Sequence, residues 1–539
     1  MNVLKSVSTR RTPQSKPVGG AKTKNAAGGY TFQIDDYARL RRFLTLGTEG
    51  GTYYASDQAL TKDNAEVVIR LAETDLITLV DTIVEISLAG RAPKNDQAIF
   101  ALAIAASIPE KVELRAYALS KLNEVCRIGT HVFQFVGYME QFRGWGPAAK
   151  RAVANWYLNR SVDKLAYQAA KYRKRDDWTH RDLLRLSRPA PDTMERDALF
   201  AWICGKPNPE KGELPKVVRA YEQAKLPATK KKGWINLIQD GMSWEMLPDA
   251  ALKEPEVWEA LLHNGMPQTA LIRKLPILTN AGLAKGEIGK QIAVQLTNQE
   301  LLVRGRVLPM NVLVAQRTYA SGVSPNGKNT WTPAPMITDA LNDAFYAAYA
   351  AVVPANKRTL LALDVSGSMS ASIAKMPLSC REAAAALALI TLNTEPDADV
   401  IGFSDGSIGQ RYGWSASGSV ASRLDISPKR RLDDVCRYTS SLDFGRTDCS
   451  LPMIWANSEG ENYDTIIIVT DNETWFGNIH PHQALKLYRE RWGSTKIVVV
   501  AMTPTRNSIL DPEDADSLDV AGFDTAVPNL ISSFSAGLI

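Results

Sequence analysis

Four short apolar runs, "TLLALDV", "ADVIGFS", "DTIIIVTD" and "TKIVVVAM", follow Pro354, and the segments between them, from Ser379, Cys449 and Pro481, have helical spacing. Runs this uniformly apolar and β-branched are buried on both faces, which in practice means a parallel sheet with helices packed on either side. Few other folds accept them. A doubly wound α/β domain is therefore predicted from about residue 356 to the end. Its ligands should collect beyond the carboxyl ends of the strands, where neighbouring loops converge.

Ahead of a boundary near residues 354–358 the texture is different. From about Thr31 to Gly322 apolar residues recur at helical spacing, as in "DLITLVDTIVEISLAG", "NDQAIFALAIAASI", "ELRAYALSKLNEVCRI", "THVFQFVGYMEQF" and "PEVWEALLHNG", with Gly, Pro or short polar breaks between them. Short amphipathic helices that cannot bury a face alone stack in pairs, so an α-solenoid is expected over residues 30–355. The period is too degenerate to assign a repeat type. Residues 1–29, with six basic residues and no continuous apolar segment, read as a disordered basic tail rather than a secretory signal.

Charge divides at the same boundary. The 63 basic and 58 acidic residues of the chain separate into 47 and 35 before residue 356 and 16 and 23 after it. The helical part is thus positive and the sheet part negative, and residues 141–188 alone carry 12 basic against four acidic residues. No apolar stretch is long enough to span a bilayer, so no membrane role is expected. Five scattered cysteines without a C-x-x-C pair argue against a disulfide framework or a zinc site and suggest a reducing interior, the cytoplasm. His480 and His482 form an H-x-H in a Pro-containing loop, more often surface decoration than a metal site.

The stretch "LLALDVSGSM" ends a buried strand in a carboxylate and two hydroxyls on alternate residues, Asp364, Ser366 and Ser368, with Gly367 easing the turn. Two further crest loops, "FGRTDCS" and "IIIVTDNET", add Thr447 and Asp471. All five are hard oxygen donors, a set that suits Mg²⁺ foremost, with Mn²⁺ or Ca²⁺ as alternatives, and leaves coordination positions for water or an incoming carboxylate or phosphate. D-x-S-x-S followed by a loop Thr and a strand-end Asp resembles the metal-ion-dependent adhesion site (MIDAS) of von Willebrand factor A domains. Nothing in the cluster supplies an activated nucleophile beside a base, so the reading is binding, not catalysis.

In the helical part, "KYRKRDDWTHRDLLRLSR" places Lys171, Arg173, Lys174 and Arg175 at the end of one helix, and Thr179 with Asp182 has the spacing of a capping box that starts the next. His180 and Arg181 then fall in the first turn, where free backbone N–H groups and the helix dipole favour a phosphate. Tyr172 and Trp178 could stack on a base. Upstream, "GWGPAAKRAVANWYLNR" adds Lys150, Arg151 and Arg160. Basic residues interleaved with aromatics, without a groove-reading motif, fit RNA better than duplex DNA.

Taken together, strings such as "RLRRFLTLGTEGGTYYA", "GRAPKNDQAIFALAIA", "DWTHRDLLRLS", "HNGMPQTALIRKL", "KRTLLALDVSGSM" and "TDNETWFGNIHP" resemble the 60-kilodalton Ro autoantigen family, the TROVE-domain RNA-binding proteins, from about Tyr30 onward. The resemblance implies a ring of HEAT-like repeats closed by a von Willebrand factor A domain. It implies Y-like small noncoding RNA on an outer basic surface, single-stranded 3′ ends of misfolded RNA through the ring, and a monomer. Bacterial members add an exoribonuclease such as polynucleotide phosphorylase as partner. The family's Y RNA surface maps onto "DWTHRDLLRLS", with His180 the strongest match, and the metal residues match fully; the tail before Tyr30 is outside the pattern. The rival expectations are a metal-dependent protein-interaction scaffold and a Mg²⁺-dependent phosphoryl-transfer enzyme.

Overall fold

The computed structural model describes the chain apart from residues 1–10, 19–21, 25–27, 34–35, 47–56, 90–94, 176, 208–211, 241, 326, 374–375, 405–419, 443–445, 472–473, 503–506, 512–513, 524, 526 and 538–539. Its residues group into two compact units: 1–64 with 297–321 and 341–539, and 65–296 with 322–340. Compactness and helical periodicity therefore divide the chain differently. Helices that read as solenoid, Pro309–Ala320 and Pro335–Ala347, lie wholly or largely in the sheet unit, where Arg317 meets Asp433 at 2.8 Å and the Tyr346 hydroxyl accepts from Leu432 N at 2.9 Å.

The four apolar runs are strands, as predicted. We label the six strands of the large sheet β1 (Thr359–Asp364), β2 (Ala398–Ser404), β3 (Val420–Arg423), β4 (Thr465–Thr470), β5 (Lys496–Ala501) and β6 (Ser517–Ala521); their order is β6-β5-β4-β1-β2-β3. All neighbours are parallel except β3, which runs antiparallel to β2 on the edge. Every residue of β1 and β4 is buried, which is why these runs contain no polar alternation. Strand order reverses at β1, so its carboxyl end and that of β4 open side by side at the switch point. The flanking helix Cys380–Thr394 starts at a capping box between Ser379 and Glu382 and buries its alanine-rich length against the sheet.

The other unit consists largely of helices, among them Leu76–Ala89, Asp96–Ala105, Gly129–Phe142, Pro147–Leu158 and Val162–Lys171. Each buries the stripe its periodicity announces; Leu76–Ala89, for instance, buries Leu79, Val80, Ile83 and Ile86. Asp96–Ala105 lies along Gly129–Phe142, with Phe100 and Tyr138 edge to face at 5.3 Å. Among the described residues no helix is long and apolar enough to cross a membrane.

Three expectations need correction. The His480–His482 pair is not surface decoration: His480 is buried with Nε2 2.9 Å from Lys16 O, and the His482 ring packs edge-on against Phe32 at 4.9 Å. Residues 11–18, predicted to be part of a disordered tail, are seated on the sheet unit: Gln14 is buried and its side-chain amide donates to Asp448 Oδ1 at 2.7 Å. A primary amide beside a buried carboxylate is a strong reason for that segment to settle. The parts of the tail at 1–10, 19–21 and 25–27 lie outside the described residues. The basic run after Lys171 is also not a helix end. The helix stops at Lys171, and Lys174–Arg175 pairs antiparallel with Trp178–Thr179 in a two-residue hairpin, turning through Asp177 at a φ of 65°.

Candidate cation site and nucleic-acid interface

The turn leaving β1 folds back on the strand-end carboxylate. Asp364 Oδ1 accepts from Ser366 N at 2.8 Å, Oδ2 accepts from Thr470 Oγ1 at 2.7 Å, and Thr447 Oγ1 stands 3.5 Å from the same oxygen. The Ser366 and Ser368 hydroxyls are 3.0 Å apart. Asp364, Ser366, Thr447 and Asp471 are all nearly sealed from solvent, and Ser368 is half-buried at the rim. The structure thus brings all five predicted residues to one crest.

Burial, and after it the neighbouring Asp471 carboxylate, push Asp364 well above the usual carboxylate range, although three hydrogen-bond donors pull the other way. Two buried carboxylates crowded at one point favour a proton or a metal cation between them. The donors are oxygens of two carboxylates and three hydroxyls, so the residues fit a hard divalent cation with retained waters. Among the described residues no group of three or more His, Cys, Asp or Glu is placed to hold a metal ion.

The basic region is more dispersed than its sequence suggests. His180 is buried at 4% exposure, its Nδ1 2.8 Å from the Tyr157 hydroxyl and its ring packed edge-on against Phe133 at 4.7 Å. Gly129 makes room for it, since a Cβ there would fall 2.8 Å from His180 Nε2. Burial lowers its pKa to about 3, so it is a neutral core residue and not the phosphate contact its position in the first turn suggested. The helix start is also partly filled. Thr179 accepts from Asp182 N at 3.3 Å while the Asp182 carboxylate accepts from Thr179 N at 3.1 Å, so the predicted capping box places a negative charge at the dipole end where an anion was expected.

Of the remaining cations, Lys171 is half-buried and paired with Glu245 at 3.5 Å, and Lys174 pairs with Asp177 at 2.7 Å across its own hairpin. Lys150 and Arg151 are exposed on helix Pro147–Leu158. Arg160 is structural: its guanidinium lies 3.7 Å from the Trp156 ring centre and donates to the Trp156 and Cys126 carbonyls. Arg175 lines an open cleft of about 1040 Å³ together with Arg185, but Asp96, Glu140, Asp177 and Asp182 line it too. That cleft is net acidic and disfavours a phosphate chain.

A second cleft, of about 560 Å³, is better suited. Arg173 and Arg181 line it with Lys225, beside Trp202 and Tyr221. Arg173 lies 5.7 Å and Lys225 4.3 Å from the centre of the Tyr221 ring, and Trp202 meets that ring edge-on at 5.9 Å. Glu222 holds Lys225 at 2.6 Å and accepts from Trp202 Nε1 at 2.9 Å, which fixes both at the cleft wall. Sequence reasoning found Arg173, Arg181 and, on the cleft's inner wall, the buried His180, and missed Lys225, Trp202 and Tyr221. The available signal was modest: helix Lys216–Lys225 places Tyr221 and Lys225 four residues apart, on one face.

Comparison with known proteins agrees with this architecture. The TROVE domain family matches residues 23–225 and 213–357, and the Ro60 vWA domain family matches residues 358–535. The chain belongs to the Ro60 family. A Deinococcus radiodurans relative of that family, named RNA-binding protein RO60, is 36% identical over 550 aligned residues and covers 99% of each chain. A Caenorhabditis elegans Ro60 relative with the same name is 35% identical over 98% of this chain and 92% of its own length. The crystal structure of the Deinococcus radiodurans RO (RSR) protein superposes with a TM-score of 0.74 over 94% of this chain and all of that one. The resemblance drawn from sequence strings, and the pairing of a TROVE helical-repeat domain with a von Willebrand factor A domain, are thus borne out.

Proposed function

We propose that the chain is a non-enzymatic RNA-binding protein of noncoding RNA quality control. The cleft lined by Arg173, Arg181 and Lys225 takes the sugar–phosphate chain, and the half-buried Trp202 ring beside it, backed by the buried Tyr221 ring, receives a base. The observation that carries this reading is the convergence of three cations and two aromatic rings on one cleft, the combination by which single-stranded nucleic acid is held without a groove to read. Two relatives named as RNA-binding proteins support it. The RNA classes we assign are Y-like small noncoding RNA and structured RNAs with a free single-stranded 3′ end. The protein acts as a cytoplasmic monomer and hands RNA to an exoribonuclease such as polynucleotide phosphorylase.

The sheet crest in this reading is a Mg²⁺ site held by Asp364, Ser366, Ser368, Thr447 and Asp471. Bound there, the cation supplies positive charge between two buried carboxylates and an open position for an oxygen ligand. The paired buried carboxylates also support the second reading, a metal-dependent scaffold that captures a partner's carboxylate.

Ultraviolet crosslinking of copurified RNA, with mass spectrometry of the adducts, separates the two. RNA binding predicts adducts on the segments containing Arg173–Arg181 and Trp202–Lys225. Adducts confined to other segments, or no copurified RNA at all, reject the cleft.

A further inference from the structure

The loop that carries Thr447 is held from two sides. On its crest side, Thr447 stands beside Asp364. On the other, the chain's own N-terminal segment fastens it from 434 residues away. Gln14 is 1% exposed, and its amide donates to Asp448 Oδ1 at 2.7 Å and to the Ile479 carbonyl at 3.2 Å, while its Oε1 accepts from Thr474 Oγ1 at 2.5 Å. Gln14 N donates to Gly477 O at 3.1 Å, Thr12 N to Gln483 Oε1 at 3.4 Å, and His480 Nε2 to Lys16 O at 2.9 Å. Five residues of chain are thereby tied to Asp448 and to residues 474–483, the segment that follows β4.

Asp448 directly follows a predicted cation ligand and shares the fate of that backbone. Its Oδ1 takes Gln14 together with Ser450 N and Ser450 Oγ, and Gly477, at a φ of 133°, leaves no space for a Cβ, which would fall 2.5 Å from Asp448 Oδ2. The Thr447 carbonyl in turn accepts from Trp475 N and Phe476 N. A carboxylate this enclosed depends on its donors, because a buried charge that loses one must take up a proton, draw in water or move. The loop would move with it, and Thr447 with the loop.

We propose that residues 12–16 are an intramolecular strap in which Gln14 is a positioning residue for the Thr447 loop, so that seating or release of the N-terminal segment sets cation affinity at the sheet crest. This rests on the reading of that crest as a divalent-cation site. Gln14 touches no cation itself; it acts as an outer partner that orients a ligand.

The test uses the full-length chain with Gln14→Met, which keeps the side chain's length and removes the amide, and Gln14→Glu, which turns a carboxylate toward Asp448. Mg²⁺ binding is followed by calorimetry, with Asp364→Ala as the null control, and hydrogen exchange of the peptide spanning residues 446–451 is followed in EDTA. We expect Mg²⁺ affinity to fall by about tenfold in Gln14→Met and further in Gln14→Glu, the range found for outer-shell partners. Exchange at 446–451 should rise without metal, while exchange in the helical unit stays as in wild type and shows that the variants are folded. A wild type that binds Mg²⁺, with both variants within twofold of it, overturns the strap alone, as does unchanged exchange at 446–451. A wild type that takes up no Mg²⁺ overturns the cation reading and the strap's role with it.

Discussion

The sheet crest and the basic cleft use charge in opposite ways. At the crest, Asp364 and Asp471 are both almost fully buried and held by the ends of two adjacent parallel strands. In the cleft, Arg173 and Arg181 are exposed, and they come together with Lys225 only because separate helices and a hairpin converge. Buried like charges make a site that is incomplete without a counter-ion; exposed cations beside aromatic rings make one that is ready for a flexible anionic chain. The first should depend steeply on single atoms, the second on the sum of several modest contacts.

The sharpest break of this comparison is Asp364→Ala. Mg²⁺ binding by calorimetry should fall more than about 100-fold, beyond what loss of an outer partner causes, while RNA affinity stays within a few-fold of wild type. In wild type alone, the melting temperature should rise with added Mg²⁺, as for any ligand that binds only the folded state.

The next effect concerns the cleft. Reversing two charges, Arg173→Glu with Arg181→Glu, should weaken single-stranded RNA binding by about 100-fold at low salt and make the remaining binding much less salt-sensitive, since each phosphate contact contributes a log–log slope of about −0.7. Mg²⁺ affinity should not change. Replacing Trp202 with Leu should cost RNA binding about 1–3 kcal/mol, the range for loss of one base–aromatic stack, and should leave the salt slope intact.

The smallest effect belongs to His180. Because burial depresses its pKa to about 3, the unfolded chain takes up the proton more readily between about pH 6.5 and 3. The stability tied to its neutral form is therefore complete above about pH 6.5 and is lost as pH falls toward 3. His180→Gln, which cannot charge, should flatten that acid limb in thermal melts. If His180 met phosphates directly, the variant would instead lower the salt slope of RNA binding.

What was legible in the sequence follows the same division. The crest could be read residue by residue because a strand end fixes its neighbours: the alternation in "DVSGS" survives folding unchanged, and an apolar run names the strand that holds it. The Thr179–Asp182 capping box was equally local, and it formed. His180 misled because its position in the first turn does not reveal which way the side chain points; Tyr157, Phe133 and the space at Gly129 draw it inward. Lys225, Trp202 and Tyr221 were invisible for a related reason. Nothing in a helical period says which surface cations will share a cleft with residues some 45 positions away. The strap was hidden most deeply, since Gln14 stands in a polar run without any periodic pattern and its partner is on the other side of the chain.

The central claim, that RNA is held by exposed cations of the helical unit, is tested most directly by the salt dependence of wild-type affinity for an unstructured single-stranded RNA. Contacts from Arg173, Arg181 and Lys225 predict a log–log slope of about −2 or steeper, at 0.7 per phosphate, reduced by about that amount when all three are replaced by Ala. A wild-type slope near zero, or a slope that the triple replacement leaves unchanged, would contradict the account.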